Sequence, residues 1–208
     1  MIIRLFLILL ISMTYPCFAL KTLLTEKGYM YEMYDFQDEI PLDILNEGVA
    51  MYFEAYLNPR LHDGISLETL QLDEAKFASY DEFILDMFQR DFISYRFPDT
   101  TPRLYLQARQ AQDGKIIGVC AVLEQAPGTY YIDHMGIDKD FRRQKIARTL
   151  ITQFIKNIGE FKKISLDTRV FNKPAQSLYE SLGFKKLATH PLPSKQFTYF
   201  HYVLAKSF

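Results

Sequence analysis

The chain has 208 residues, 49% of them hydrophobic and 24% charged, and its 24 basic and 25 acidic side chains leave a net charge of −1. That makeup fits an ordinary globular protein long enough to bury one sizeable core. It excludes a nucleic-acid partner held by bulk electrostatics, because no basic excess exists to displace counterions.

In chain order, Met1–Arg4 is a short basic start, Leu5–Ile11 an apolar run, and a polar stretch then reaches Cys17-Phe18-Ala19. This reads as a secretory signal over residues 1–19 with cleavage after Ala19, leaving 20–208 as one domain in an exported or periplasmic location. The run is short for a transmembrane helix, so a membrane would be met only through an uncleaved N-terminus. Met30 and Met33 keep a second reading open: a true start there and a cytoplasmic protein. After cleavage Cys120 is the one cysteine left, so no internal disulfide can form.

Tyr29–Phe36 reads as a first strand and Ile44–Tyr56 as a helix with a buried face, ended by Asn58-Pro59. Asp73–Tyr95 reads as one or two more helices. Leu104–Gln110 and Lys115–Leu123 are strands joined through Asp113-Gly114, a hairpin signal. Ala126-Pro127-Gly128 turns the chain into the strand Tyr130–Ile137. Beyond a twice-basic turn, Ile146, Leu150, Ile151, Phe154, Ile155 and Ile158 recur at helical spacing. Ile164, Leu166, Thr168 and Val170 alternate as a strand. Pro174 opens and Gly183 closes a compact helix, and Phe184–Thr189 and Phe197–Lys206 supply two closing strands. The order predicts an α/β layered fold with one crossover near the middle.

The segment Asp138–Ala147, D-K-D-F-R-R-Q-K-I-A, joins a strand to a helix. The first N–H groups of a helix lack internal partners and the helix dipole favours an anion there. Arg142 and Arg143 add donors that suit phosphate oxygens, although a solvated basic turn has the same composition.

The residues now resemble a known family. Ile137 ending a strand, followed by Arg142, Lys145 and Ala147 at the positions of an R-x-x-G-x-[GA] signature, is similar to the acyl-CoA-dependent N-acetyltransferases of the GNAT superfamily. A second signature follows in Asn172, Ala175, Leu178, Tyr179, Gly183 and Phe184, and together the two cover roughly residues 100–190. The resemblance implies a mixed sheet whose central parallel strands splay apart between flanking helices. It implies acetyl-CoA as cosubstrate, with the pyrophosphate on the N–H groups of Arg143, Gln144, Lys145, Ile146 and Ala147 and the pantetheine arm held near Met135 and Ile137. Asn172 would be a ligand of the strand or cofactor, a helix N-cap, or both. Lys145 departs from the family's glycine. It turns outward, adds an ammonium to the phosphates, or blocks them.

The resemblance also implies direct attack of a primary amine on the thioester, so two proton transfers need carriers. Tyr179 matches the family's phenolic acid for the leaving thiolate, against a reading as plain core. Asp133 and His134 are candidate bases, against a loop-bonded carboxylate and a structural imidazole. Strand alternation puts Asp133 with Tyr131 on one face and His134 on the other. His62, His190 and His201 show no metal spacing, and no metal is expected. The acceptor pocket implied by the family spans residues 44–96 and 184–203, including Tyr52, Tyr56, Phe88, Phe92, Tyr95, Tyr199 and Tyr202, and its partner is an amine-bearing small molecule or protein. A second class stays open: a GNAT fold that binds acyl-CoA or a protein without catalysis.

Overall fold

A computed structural model describes residues 20–35, 39–56, 79–93, 103–191 and 198–205. Eight strands form one sheet. They are β1 (Lys21–Glu26), β2 (Tyr29–Tyr34), β3 (Arg103–Gln110), β4 (Ile116–Ala126), β5 (Thr129–Ile137), β6 (Lys163–Arg169), β7 (Lys185–Pro191) and β8 (Thr198–Ala205). Four helices accompany them: α1 (Leu42–Tyr56), α2 (Tyr80–Ile93), α3 (Ile146–Ile158) and α4 (Lys173–Ser181). The spatial order is β1-β2-β3-β4-β5-β6-β8-β7. Every neighbouring pair is antiparallel except β5 and β6, which run parallel across the α3 crossover.

The strand β1 has no counterpart among the expected elements. Lys27 and Gly28 join it to β2 with φ of 52° and 80°, the two left-handed residues of a tight type I′ hairpin. Leu23 and Leu24 stand side by side where a register shift interrupts the pairing, so the alternation that advertises a strand is missing. The segment is anchored at Lys21, whose ammonium donates to Asn157 Oδ1 at 2.9 Å. The helix expected within Asp73–Tyr95 occupies Tyr80–Ile93, and the rest of that stretch lies outside the described residues.

Each face of the sheet carries its own apolar core. On one, Leu106, Ile117, Cys120, Val122, Tyr130, Ile132, Ile164 and Leu166 pack with Ile146, Leu150 and Phe154 of α3 and Tyr179 of α4. On the other, Tyr105, Val119 and Ala121 pack with Leu45, Val49 and Met51 of α1 and Phe88 of α2. Burial of large side chains on both faces is the main force holding these layers. The splayed mixed sheet that the sequence led us to expect is therefore present.

Candidate functional site

Four rungs join the parallel strands, from Thr129–Lys163 to Ile132–Leu166, and the pairing stops there. On its other edge β5 continues against β4 as far as Gly118–Ile137. Residues 133–137 thus lack a parallel neighbour, and a fork opens between β5 and β6. The N–H of Asp138 donates to Ile117 O at 2.9 Å. Because successive peptide groups of a strand point to opposite edges, the N–H groups of Ile137 and Met135 point the other way, into the fork.

A bulge lies at the root of this opening. Ala121 pairs with His134 and Val122 with Ile132, so Asp133 has no partner on β4. The extra residue reverses the order of faces. Tyr130 and Ile132 pack in the α3 core, yet beyond the bulge Met135 and Ile137 join that same core. His134 therefore emerges on the α1 side with Tyr131, and its Nε2 lies 3.4 Å from Asp133 Oδ2. The expectation that simple alternation separates Asp133 from His134 is corrected. His134 is 7% exposed, its ring edge-on to Tyr52 at 5.4 Å and near Phe88 at 6.1 Å. Gly136 makes this approach possible, since a Cβ there would lie 2.5 Å from the Tyr52 ring. Burial, with the Asp133 carboxylate adding to it, pushes the Tyr52 phenol well above its ordinary range.

Beyond β5 the chain does not enter α3 directly. Lys139–Phe141 forms a single 3-10 turn capped by the Asp138 side chain, which Lys115 fixes through a 2.8 Å ion pair. Arg143 and Lys145 then both adopt left-handed backbone, each with φ of 67°. Lys145 is the N-cap of α3 and provides no side-chain acceptor for the helix N–H groups. Its side chain is exposed, as are those of Arg143 and Gln144. An uncapped helix start behind left-handed residues makes a concave set of N–H donors suited to an anion.

Arg142 has a different task from the one its charge suggests. Its Nε donates to Ile137 O at 3.2 Å and its Nη2 to Ala55 O at 2.8 Å. The guanidinium thereby ties the end of β5 to a carbonyl in the last turn of α1. Tyr29 adds a second brace by donating its hydroxyl to Gln144 Oε1.

Across the fork, Asn172 caps α4 by accepting from Ala175 N at 3.4 Å, which satisfies the N-cap reading. Gln176 donates to the carbonyls of Arg169 at 3.2 Å and Val170 at 2.7 Å. Tyr179 is 6% exposed, with ring centroids 6.0 Å from Phe184 and 5.9 Å from Tyr202. Burial pushes its phenol far above the ordinary tyrosine range, and the nearby Cys120 thiol adds to this. Burial alone pushes Cys120 up to about 12. Tyr179 is also within electrostatic reach of Tyr52 on the opposite face.

Two further residues meet at this end of the sheet, Asp167, which the sequence did not flag, and His201, which it weighed only as a metal ligand. Asp167 follows the last rung on β6, and its carboxylate accepts from Tyr131 Oη at 3.1 Å. His201 stands opposite it on β8, with Nδ1 2.8 Å from Asp167 Oδ1. A carboxylate between Leu166 and Thr168, inside the otherwise buried stretch 164–169, was the available signal. The pocket residues expected on the acceptor side divide. Tyr52 and Phe88 pack on the α1 face beside His134, whereas Tyr202 sits in the α3–α4 core and donates to Glu180 at 3.0 Å. Tyr95 and the Phe92 side chain lie outside the described residues, as do His62, Asp73 and Glu74. Among the described residues no group of three or more His, Cys, Asp or Glu converges as a metal site.

Comparison with known proteins agrees with this geometry. N-alpha-acetyltransferase 30 of Dictyostelium discoideum is 40% identical over 80 residues, which cover 36% of this chain and 43% of that protein. This chain thus spans under half of that relative's length. The ribosomal-protein-S18-alanine N-acetyltransferase of Escherichia coli superposes with a TM-score of 0.56 at 17% identity, covering 86% of this chain and 96% of the other. The PaiA N-acetyltransferase of Thermoplasma acidophilum, solved with coenzyme A, gives a TM-score of 0.53 at 18% identity over 85% of this chain and 99% of its own. The profile of the acetyltransferase (GNAT) family matches residues 67–184, more than half of the chain. With its forked sheet and open helix start, this chain belongs to the GNAT acetyltransferase family.

Proposed function

We propose that the protein transfers an acetyl group from acetyl-CoA to a primary amine, by direct attack of the amine on the thioester. The fork carries this reading: β5 and β6 part after Ile132 and Leu166, and the uncapped start of α3 stands at its head. The diphosphate of the donor lies against the N–H groups of Arg143, Gln144, Lys145, Ile146 and Ala147. The pantetheine arm runs into the fork along the N–H groups of Met135 and Ile137, which also polarise the thioester carbonyl. Arg142 holds the turn in shape, and Asn172 holds the start of α4 on the far limb.

Tyr179 gives the departing thiolate its proton. A phenol kept protonated by burial still carries its proton at neutral pH and can pass it to the sulfur as the C–S bond breaks. Asp133, backed by His134, faces the acceptor side, where a carboxylate draws in an ammonium. An amine of pKa about 10.4 is neutral in roughly one molecule per thousand near pH 7, so removing its proton costs about 4 kcal/mol. The names of the relatives support amine acceptors on proteins and leave small amines open.

The test is release of free CoA by the purified protein given acetyl-CoA and a panel of primary amines and peptides with free N-termini. Absence of turnover with every acceptor would abandon the reading. A left-handed Lys145 where the family has glycine favours a second one, a module that holds acyl-CoA or a protein without turnover. Calorimetric binding of acetyl-CoA without release of CoA would support it.

A further inference from the structure

A second carboxylate–imidazole pair stands on the other limb of the fork. Asp133 with His134 belongs to β5, and Asp167 with His201 spans β6 and β8. The two pairs differ in access to water. His134 is sandwiched between Tyr52 and Phe88 and is 7% exposed, so a proton placed on it has no short way out. The side chains of Asp167 and His201 are 31% and 23% exposed. Their geometry is also the tighter, at 2.8 Å against 3.4 Å.

We propose that His201, oriented by Asp167, is the base that takes the proton of the incoming amine. The inference rests on the acetyl-transfer reading above. Asp167 is the positioning residue: by accepting Nδ1–H it fixes the imidazole tautomer and leaves the lone pair on Nε2. Tyr131, donating to the other carboxylate oxygen, keeps Asp167 from rotating. Asp167 directly follows the last parallel rung, which puts the pair at the root of the fork, across from Asp133.

The protons balance. The acceptor arrives as an ammonium, and His201 Nε2 takes one proton. The freed lone pair forms the C–N bond at the thioester carbonyl carbon, and the C–S bond breaks. Tyr179 protonates the sulfur, and the second proton of the attacking nitrogen restores the phenol. His201 passes its proton to water, so the products are an amide, a thiol and one released proton.

The other titratable or charged groups at this end are Tyr131, Asp133 and His134 on β5, Arg169 on β6, Tyr199 on β8 and Tyr52 on α1. From β7, Ala188 stands opposite His201. The test uses the acceptor that gives the best turnover with the wild-type protein. His201→Ala should lower kcat by about a hundredfold or more, leave the acetyl-CoA Kd within twofold by calorimetry, and lose the acidic limb of the kcat/KM–pH profile. Added imidazole should restore at least tenfold of the lost rate. Asp167→Asn, which keeps shape, should give a smaller loss with the limb displaced. A His201→Ala protein with wild-type rate and profile overturns the inference alone, and so does a loss that imidazole fails to restore. A wild-type protein inactive with every amine overturns the acetyl-transfer reading and this inference with it.

Discussion

Ile132 and Leu166 are the last residues to pair across the parallel strands, and on each strand the next residue is an aspartate. Two carboxylates following one rung repel each other across a zip that would otherwise continue. The bulge at Asp133 also breaks the regular pleat of β5 at that point. Both features fall where the parallel pairing ends.

Tyr179 tests the acid at the far end of the fork. Tyr179→Phe keeps the ring packing against Phe184 and Tyr202, so the fold should survive. The rate of CoA release should fall by about a hundredfold or more, while acetyl-CoA affinity by calorimetry stays within twofold. An unchanged rate would reduce Tyr179 to core.

Lys145 tests the anion receptor. A lysine held at φ 67° carries left-handed strain of about 1–2 kcal/mol. Lys145→Gly should raise stability in urea by about 1 kcal/mol and bind acetyl-CoA at least as tightly. A tenfold loss of affinity would instead mean that the ammonium itself contacts the phosphates.

Arg109 holds a buried charge network apart from the fork. Its Nε lies 3.2 Å from Glu32 Oε2 and its Nη1 3.4 Å from Glu47 Oε2, while Gln107 donates to Glu32 at 2.8 Å. Arg109→Met would strand the 7%-exposed Glu32, and the expected loss is about 3 kcal/mol in a denaturant melt. A loss below about 1 kcal/mol would show that water reaches Glu32 in the variant.

The Lys115–Asp138 pair sets a pH dependence. Partial burial works against ionisation of Asp138, but Lys115 and the Asp140 N–H outweigh it and hold the carboxyl below its ordinary range. Its hydrogen bond to Asp138 raises Lys115 in turn. A lowered carboxyl pKa stabilises the fold above the unfolded value near 4 and loses that contribution as pH falls through the folded value. A raised lysine pKa contributes below its unfolded value and is lost only in strong alkali. Lys115 is half exposed, so Lys115→Gln should cost about 0.5 kcal/mol at pH 7. Near pH 2 the wild-type and variant stabilities should converge in parallel urea melts.

The first residue of the native protein tests the proposed cleavage after Ala19. β1 begins at Lys21, two residues after the proposed cleavage at Ala19, whereas a start at Met33 would remove β1 and most of β2. Mass spectrometry of the native protein should find Leu20 as the first residue. A mature chain beginning with Met1, Met30 or Met33 would refute the proposed cleavage.

Both halves of the fork were legible because they are written locally. The apolar strand before Asp138, the helical repeat from Ile146 to Ile158 and the Pro174–Gly183 bracket each fall within one segment. What escaped depended on pairing between distant segments. The bulge at Asp133 exists only against β4, so counting odd and even positions put His134 on the wrong side. The Asp167–His201 pair exists only because β8 lies beside β6, a register no local pattern encodes. The charge of Arg142 is visible in the sequence, but its bond to the Ala55 carbonyl joins distant segments and is not.

The guanidinium of Arg142 spans two structures, the loop that leads from β5 into α3 and the end of α1. Bonded at both ends, it acts as a strut and not as a hook. A displacement of that loop would therefore be felt at the last turn of α1 through these two hydrogen bonds.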